Sequence, residues 1–155
     1  MAAFAAALAT VALAACTTQP QGAQNEGPSP AGLAQAAVTI HSANGAHRFM
    51  VEVAATPEEQ ATGLMNRPAL DPDRGMIFPY SPPQDASFWM KNTLIPLDMI
   101  FIRPDNTIGR IEENAVPLSL EPVPSMEPIS AVLEINGGRA SELGIKAGDT
   151  VDWPH

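Results

Sequence analysis

Four side chains between Asp85 and Ile102, in the run DASFWMKNTLIPLDMIFI, could do chemistry together: Trp89, Lys91, Asn92 and Asp98. An aromatic wall, an ammonium, an amide and a carboxylate are the parts of a pocket for a small polar or anionic ligand. Trp89 and Lys91 stand two residues apart, so on a strand they share a face. Asp98 sits between Leu97 and Met99, and a buried Asp there needs a partner. A hairpin across the intervening turn would bring Lys91 and Asp98 within ion-pair reach. The competing reading is structural: a network that pins the turn, with Asn92 and Thr93 bonding local backbone. Arg74, ahead of Gly75-Met76, has the fork to grip a carboxylate or phosphate, or to pair with Asp71, Asp73 or Glu112.

Two other chemistries draw on the same region. Asp98, Glu112 and Lys91 could supply the carboxylates and base of a hydrolase acting on envelope polymers. Met65, Met76 and Met90 are thioethers, which select Cu(I), although methionine is also an ordinary core filler. His41 and His47 flank a turn and could join such a metal site. The sequence has no G-x-S-x-G elbow, no H-E-x-x-H and no phosphate-cradling glycine loop. No cofactor is expected.

The elements that must position these residues read as short strands. The chain has 155 residues, 16 of them Pro, with 45% hydrophobic and 5% aromatic content. That length builds one domain with its own core, and frequent Pro favours strands and turns over a helix bundle. Ala36 to Ala43 and Ala46 to Ala54 flank Asn44-Gly45, a strong hairpin signal. Thr56-Pro57-Glu58-Glu59 opens a helix with a capping box, running to Met65 or Asn66 with Ala61, Leu64 and Met65 inward. Strands follow at Gly75 to Phe78 (ended by Pro79), Ser87 to Asn92, Leu97 to Ile102, Thr107 to Glu113, Ile129 to Ile135 and Thr150 to Trp153. Arg139 to Leu143 is a helical turn closed by Gly144. About eight strands and one clear helix, without βαβ alternation, predict a mainly β, single-domain antiparallel sandwich or barrel.

The net charge is −9, and the eight Lys and Arg residues are scattered. Phosphate binding needs clustered bases, so nucleic acid is not an expected partner. The one cysteine, Cys16, excludes an internal disulfide. Residues 1–15 are uncharged and small or apolar, with the length of a lipoprotein-type signal peptide. Leu13-Ala14-Ala15-Cys16 resembles a lipobox, which implies cleavage before Cys16 and lipidation of its thiol. Residues 16–35, rich in Gln, Pro, Gly and Ala, read as a flexible tether. Residues 36–155 are the β domain. The expected location is the periplasm, anchored to a membrane through Cys16. Thr17 is unlike the Asp that marks inner-membrane retention, so the outer membrane is favoured.

The ordered motifs VEVAATPEEQATGLMNRPAL, RGMIF, FWMKNTLIPLDMIFI, AVLEINGG and GIKAGD resemble the family called domain of unknown function 192. The resemblance spans Phe49 to Val151 and implies a small β-sandwich of jelly-roll type with a short helix. It brings no activity, substrate or cofactor. The chain departs from the family pattern at Val123, where a Tyr is expected. The expectation is therefore a lipid-anchored envelope domain that is not an enzyme. It would bind a small ligand or an envelope protein through Trp89, Lys91, Asn92, Asp98 and Arg74.

Overall fold

The structure, a computed structural model, describes residues 29–154. The signal peptide expected over 1–15, Cys16 and residues 16–28 lie outside the described residues. Ser29 to Gln35, expected as tether, belong to the fold. Ser29 is buried, its hydroxyl accepts from Leu33 N–H at 2.8 Å, and Leu33 packs on the core.

Strands β1 (Gln35–Ser42) and β2 (Gly45–Val53) form the expected hairpin. Ser42 pairs with Gly45, so the two-residue loop is Ala43-Asn44, one position earlier than Asn-Gly chemistry suggests. The helix α1 (Pro57–Thr62) is short. Its capping box is complete: Thr56 Oγ1 accepts from Glu59 N–H, and the Glu59 carboxylate accepts from Thr56 and Ala55 N–H. Gly63, at φ 48°, stops it before Met65. Leu64 is buried as expected, whereas Ala61 faces solvent.

Strand β3 (Arg74–Gln84) runs on through Pro79, Pro82 and Pro83. A proline lacks only its N–H, and the ladder to the next strand slips between Pro79 and Gln84, so the prolines fall at an irregularity. By contrast β4 (Ser87–Phe88) is much shorter than expected. It pairs only with β7 (Val123–Pro124), inside the Pro-rich loop. The remaining elements are β5 (Leu97–Ile102), β6 (Ile108–Ala115), β8 (Ile129–Asn136), α2 (Arg139–Leu143) and β9 (Thr150–Asp152).

Seven strands make one sheet in the order β6-β5-β8-β3-β2-β1-β9. All its pairs are antiparallel except β2 with β3. That pair is parallel because the α1 segment is a crossover that returns the chain in the same direction. The sheet curls until its ends meet. Thr107, just before β6, bridges Thr150 of β9, and Val151 N–H donates to Asn106 O at 2.8 Å. The fold is thus mainly β, a barrel-like single domain with nine strands and two short helices among the described residues.

Alternation along the strands produces two cores. Val38, Phe49, Val51, Ile77, Leu133, Ile100, Ile108 and Val151 come from all seven strands and fill the enclosed face. Met76 and Phe78 of β3, Val132 of β8, and Met99 and Phe101 of β5 point to the opposite face. That outer face is also buried, under Leu64, Met90, Phe88 and the loops around them.

Candidate functional site

The outer core is where the strands and their cover leave room. A pocket of about 340 Å³ opens there, lined by Gln60, Met65, Phe78, Tyr80, Phe88, Trp89, Thr93 and Glu134, among others. Its aromatic wall is built by contact. Phe88 meets Phe78 edge-on at 5.1 Å between centroids, and Phe101 edge-on at 6.3 Å. Such geometry favours the ring quadrupoles and fixes the wall.

Glu134 is the residue sequence reading missed. It lies on β8, the middle strand of the sheet, opposite Met76 of β3 and Met99 of β5. Directly opposed residues share a face, so the carboxyl rises between two buried thioethers. Glu134 is 4% exposed, and among the described residues no hydrogen bond or ion pair reaches its side chain. Burial alone pushes its pKa up to about 8. Tyr80, beside it on the pocket wall, is pushed up to about 12, by burial first and by the Glu134 charge second. The β3 backbone is close here: a Cβ on Gly75 would run into the Glu134 carbonyl oxygen. A neutral carboxylic acid at the base of an aromatic pocket can donate a hydrogen bond. Once ionised it is an uncompensated anion awaiting a partner.

The residues singled out from sequence scatter. Trp89 lines this pocket, half exposed, with the Lys91 ammonium 5.1 Å from its ring centroid. Asn92, at φ 55°, points its amide at Met65 Sδ (3.9 Å), and its carbonyl accepts from Asn66 N–H. This is the local turn-pinning role.

Asp98 is not at the pocket. It is fully buried, and its oxygens accept from Asn114, Gly138 and Ala140 N–H, each at 2.8 Å. Three backbone donors take the place of the expected Lys91, tying β5 to β6 and to the start of α2. Arg74 lies elsewhere again, at a cavity of about 210 Å³ shared with Glu52, Arg67 and Asp71, and its guanidinium donates to Gln35 Oε1 at 2.8 Å.

Neither alternative chemistry gains a converged set. Glu112 pairs with Arg110 on its own strand, and Asp98 has no surface left to offer a substrate. Met76 and Met90 are buried in the outer core, and of the copper candidates only Met65 lines the pocket. His41 bonds Asp152, and His47 bonds Ser42 Oγ. Among the described residues no three His, Cys, Asp or Glu side chains gather as a metal site.

Two loops next to Trp89 and Thr93 expose apolar side chains. The Met90 N–H donates to Ser119 O and the Leu118 N–H to Thr93 O, joining two loops. These loops carry Trp89, Leu94, Val116, Leu118 and Leu120, all exposed. Leu118 holds φ at 64°, a left-handed backbone that is strained for a bulky residue.

The chain matches none of the curated proteins. Two solved structures are similar to it. A protein of unknown function from Novosphingobium aromaticivorans shares 49% identity with a TM-score of 0.80, covering 82% of this chain and 91% of that one. A Sinorhizobium meliloti protein, provisionally described as a transcription regulator, shares 42% identity with a TM-score of 0.76, covering 78% and 95%. The model of DUF192, described as an uncharacterized ACR, matches residues 38–153. That span holds β1 to β9 almost entire, Glu134 and its aromatic wall included, and by it the chain belongs to the DUF192 family.

Proposed function

We propose that this protein is a lipid-anchored cell-envelope domain that binds a small molecule in the Glu134 pocket. One observation carries the reading. Glu134 is a buried carboxyl without a partner among the described residues, in a cavity walled by Phe78, Tyr80, Phe88 and Trp89. Leaving such a group unsatisfied is expensive, and proteins rarely tolerate it except where a ligand completes it. In this reading Trp89 contributes to the pocket wall, whereas Lys91, Asn92, Asp98 and Arg74 do not line the pocket. The anchor rests on the lipobox-like Leu13-Ala14-Ala15-Cys16. The regulator description of the Sinorhizobium protein is not carried over, because a net charge of −9 with scattered bases opposes DNA binding.

The chain has two tryptophans, and Trp153 lines a different cavity. A W153F variant therefore reports on Trp89 alone. Titrating it with small amines, acids and alcohols is expected to give a saturable emission change with at least one class, and E134Q is expected to weaken it at least tenfold. Unaltered binding by E134Q, or no saturable change with any class, ends the proposal. Labelling cells with an alkynyl fatty acid is expected to mark the chain through Cys16 and to fail in C16S.

A second reading, docking of an envelope protein, draws on the exposed Trp89, Leu94, Val116, Leu118 and Leu120 of the two joined loops. An apolar patch of this kind commonly marks an interaction surface.

A further inference from the structure

We infer that the ligand of the Glu134 pocket is an organic cation, an alkylammonium or quaternary ammonium group seated against the aromatic wall with Glu134 as its counter-ion. This rests on the pocket being the binding site, as proposed above, and adds the chemistry of what fills it.

The argument begins with what lines the pocket. Its aromatic side chains are Phe78, Tyr80, Phe88 and Trp89, and its one ionisable carboxyl is Glu134. Neither Lys nor Arg lines it, so an anionic ligand would find no charge to meet it. The neutral polar groups favour acceptors. Gln60 spends its amide N–H groups on Ala54 O (3.2 Å) and Pro79 O (3.0 Å), which leaves its carbonyl as the free end. Thr62 and Thr93 donate their hydroxyls to Glu58 O and Lys91 O. Acceptors, ring faces and one buried carboxyl form the usual surroundings of a recognised ammonium. The protein's own Lys91 ammonium, 5.1 Å from the Trp89 ring centroid, already uses that ring in this way. The net charge of −9 adds a long-range pull on cations.

The protonation state of Glu134 gives the inference a signature. Burial pushes its pKa up to about 8, so at neutral pH the empty pocket holds mostly the acid. A bound cation favours the carboxylate, and binding must then release a proton. The groups facing Glu134 do not compete for that proton. Tyr80 on β3 is pushed further up, to about 12. Met76 and Met99 flank Glu134 on the neighbouring strands, and Gln60, Ser87, Phe88, Trp89 and Thr93 line the cover; none of these titrates. Lys91, over the Trp89 ring, is exposed and does not line the pocket.

The test uses permanently charged and neutral probes of one shape. Choline and its neutral isostere 3,3-dimethylbutan-1-ol, with butylammonium and pentan-1-ol as the slimmer pair, are titrated into the W153F protein. At least one cation is expected to bind at least tenfold more tightly than its neutral partner. Its affinity should rise about tenfold per unit between pH 6 and 7 and level off above about 8. Calorimetry at pH 6.5 in buffers of differing ionisation enthalpy should read close to one proton released per cation bound. E134Q, which keeps the shape of the side chain, should abolish both the pH dependence and the proton release. W89A, altered at a half-exposed position, should weaken cations without removing the proton release.

Equal binding of cation and isostere, or no proton release, overturns the cation assignment while the pocket stands. Saturable binding of acetate or butyrate that E134Q weakens does the same. If no probe binds, the assignment falls, and the broader screen then decides whether the pocket falls with it.

Discussion

Two carboxylates inside one sheet live opposite lives. Asp98 is surrounded by backbone N–H groups that satisfy both its oxygens, and it acts as a clasp between β5, β6 and α2. Glu134, on the adjacent strand, faces Met76, Met99 and the pocket, and among the described residues no donor bonds its carboxyl. Its titration therefore couples to folding. The unfolded chain loses the Glu134 proton near 4.5, the ordinary value for this side chain, whereas the folded chain holds it to about 8. Between those values the folded state binds one more proton, so its stability falls as pH rises, with no further loss above about 8. The shift corresponds to a stability difference on the order of 5 kcal/mol across that range. E134Q removes it. Urea denaturation at pH 5 and pH 8.5 is expected to show E134Q gaining at least about 2 kcal/mol on the parent between those two values. Parallel stability profiles would show that Glu134 is solvated or partnered in solution.

At the scale of elements, the hairpin and α2 meet at a close contact. Gly144, the C-cap of α2, holds φ at 70°. A Cβ there would collide with Asn44 Nδ2, whose amide also donates to Leu143 O at 3.3 Å. This contact accounts for the displaced turn: Asn44 is held toward α2, and Gly45 takes the positive φ of 127° as the first residue of β2. G144A is expected to cost about 2 kcal/mol, part for the left-handed backbone and part for the collision. In an N44A background it should cost measurably less, because only the backbone part remains. Additive costs in thermal unfolding would mean that the two sites are independent.

The same elements show what sequence patterns could and could not reach. The hairpin, the α1 capping box, the buried β5 and the alternation of β8 were all legible, because each depends on neighbours in the chain. Strand β3 was cut short at Pro79, since a proline reads as an end unless the bulge that accommodates it is known. The Lys91–Asp98 pair failed because Asp98's partners are backbone donors from Asn114 to Ala140, which no residue type announces. Glu134 looked like an ordinary outward-facing residue of an alternating strand. The clue was present in pieces: Met76, Phe78, Met99 and Phe101 imply that the outer faces of two strands are covered. Only the order β5-β8-β3 puts Glu134 between them.

At the scale of the molecule, the sheet has one seam. β9 joins β1 through Thr39 to His41, and its first residue bridges Thr107. Without β9 the edges of β1 and β6 lie open, and open edges invite pairing between chains. A chain ending at Gly148 is expected to self-associate and to elute ahead of the full chain in size-exclusion chromatography. A monomeric, fully folded truncation would show that the seam adds nothing to closure. The seam also sets a clock. β9 and its partner β1 are more than a hundred residues apart in the chain, and pairing over such distances is slow. Synthesis proceeds from the other end, so β1 and β2 emerge early and wait. Closure must wait for β9, so the docking of that one short strand decides when the protein stops being vulnerable.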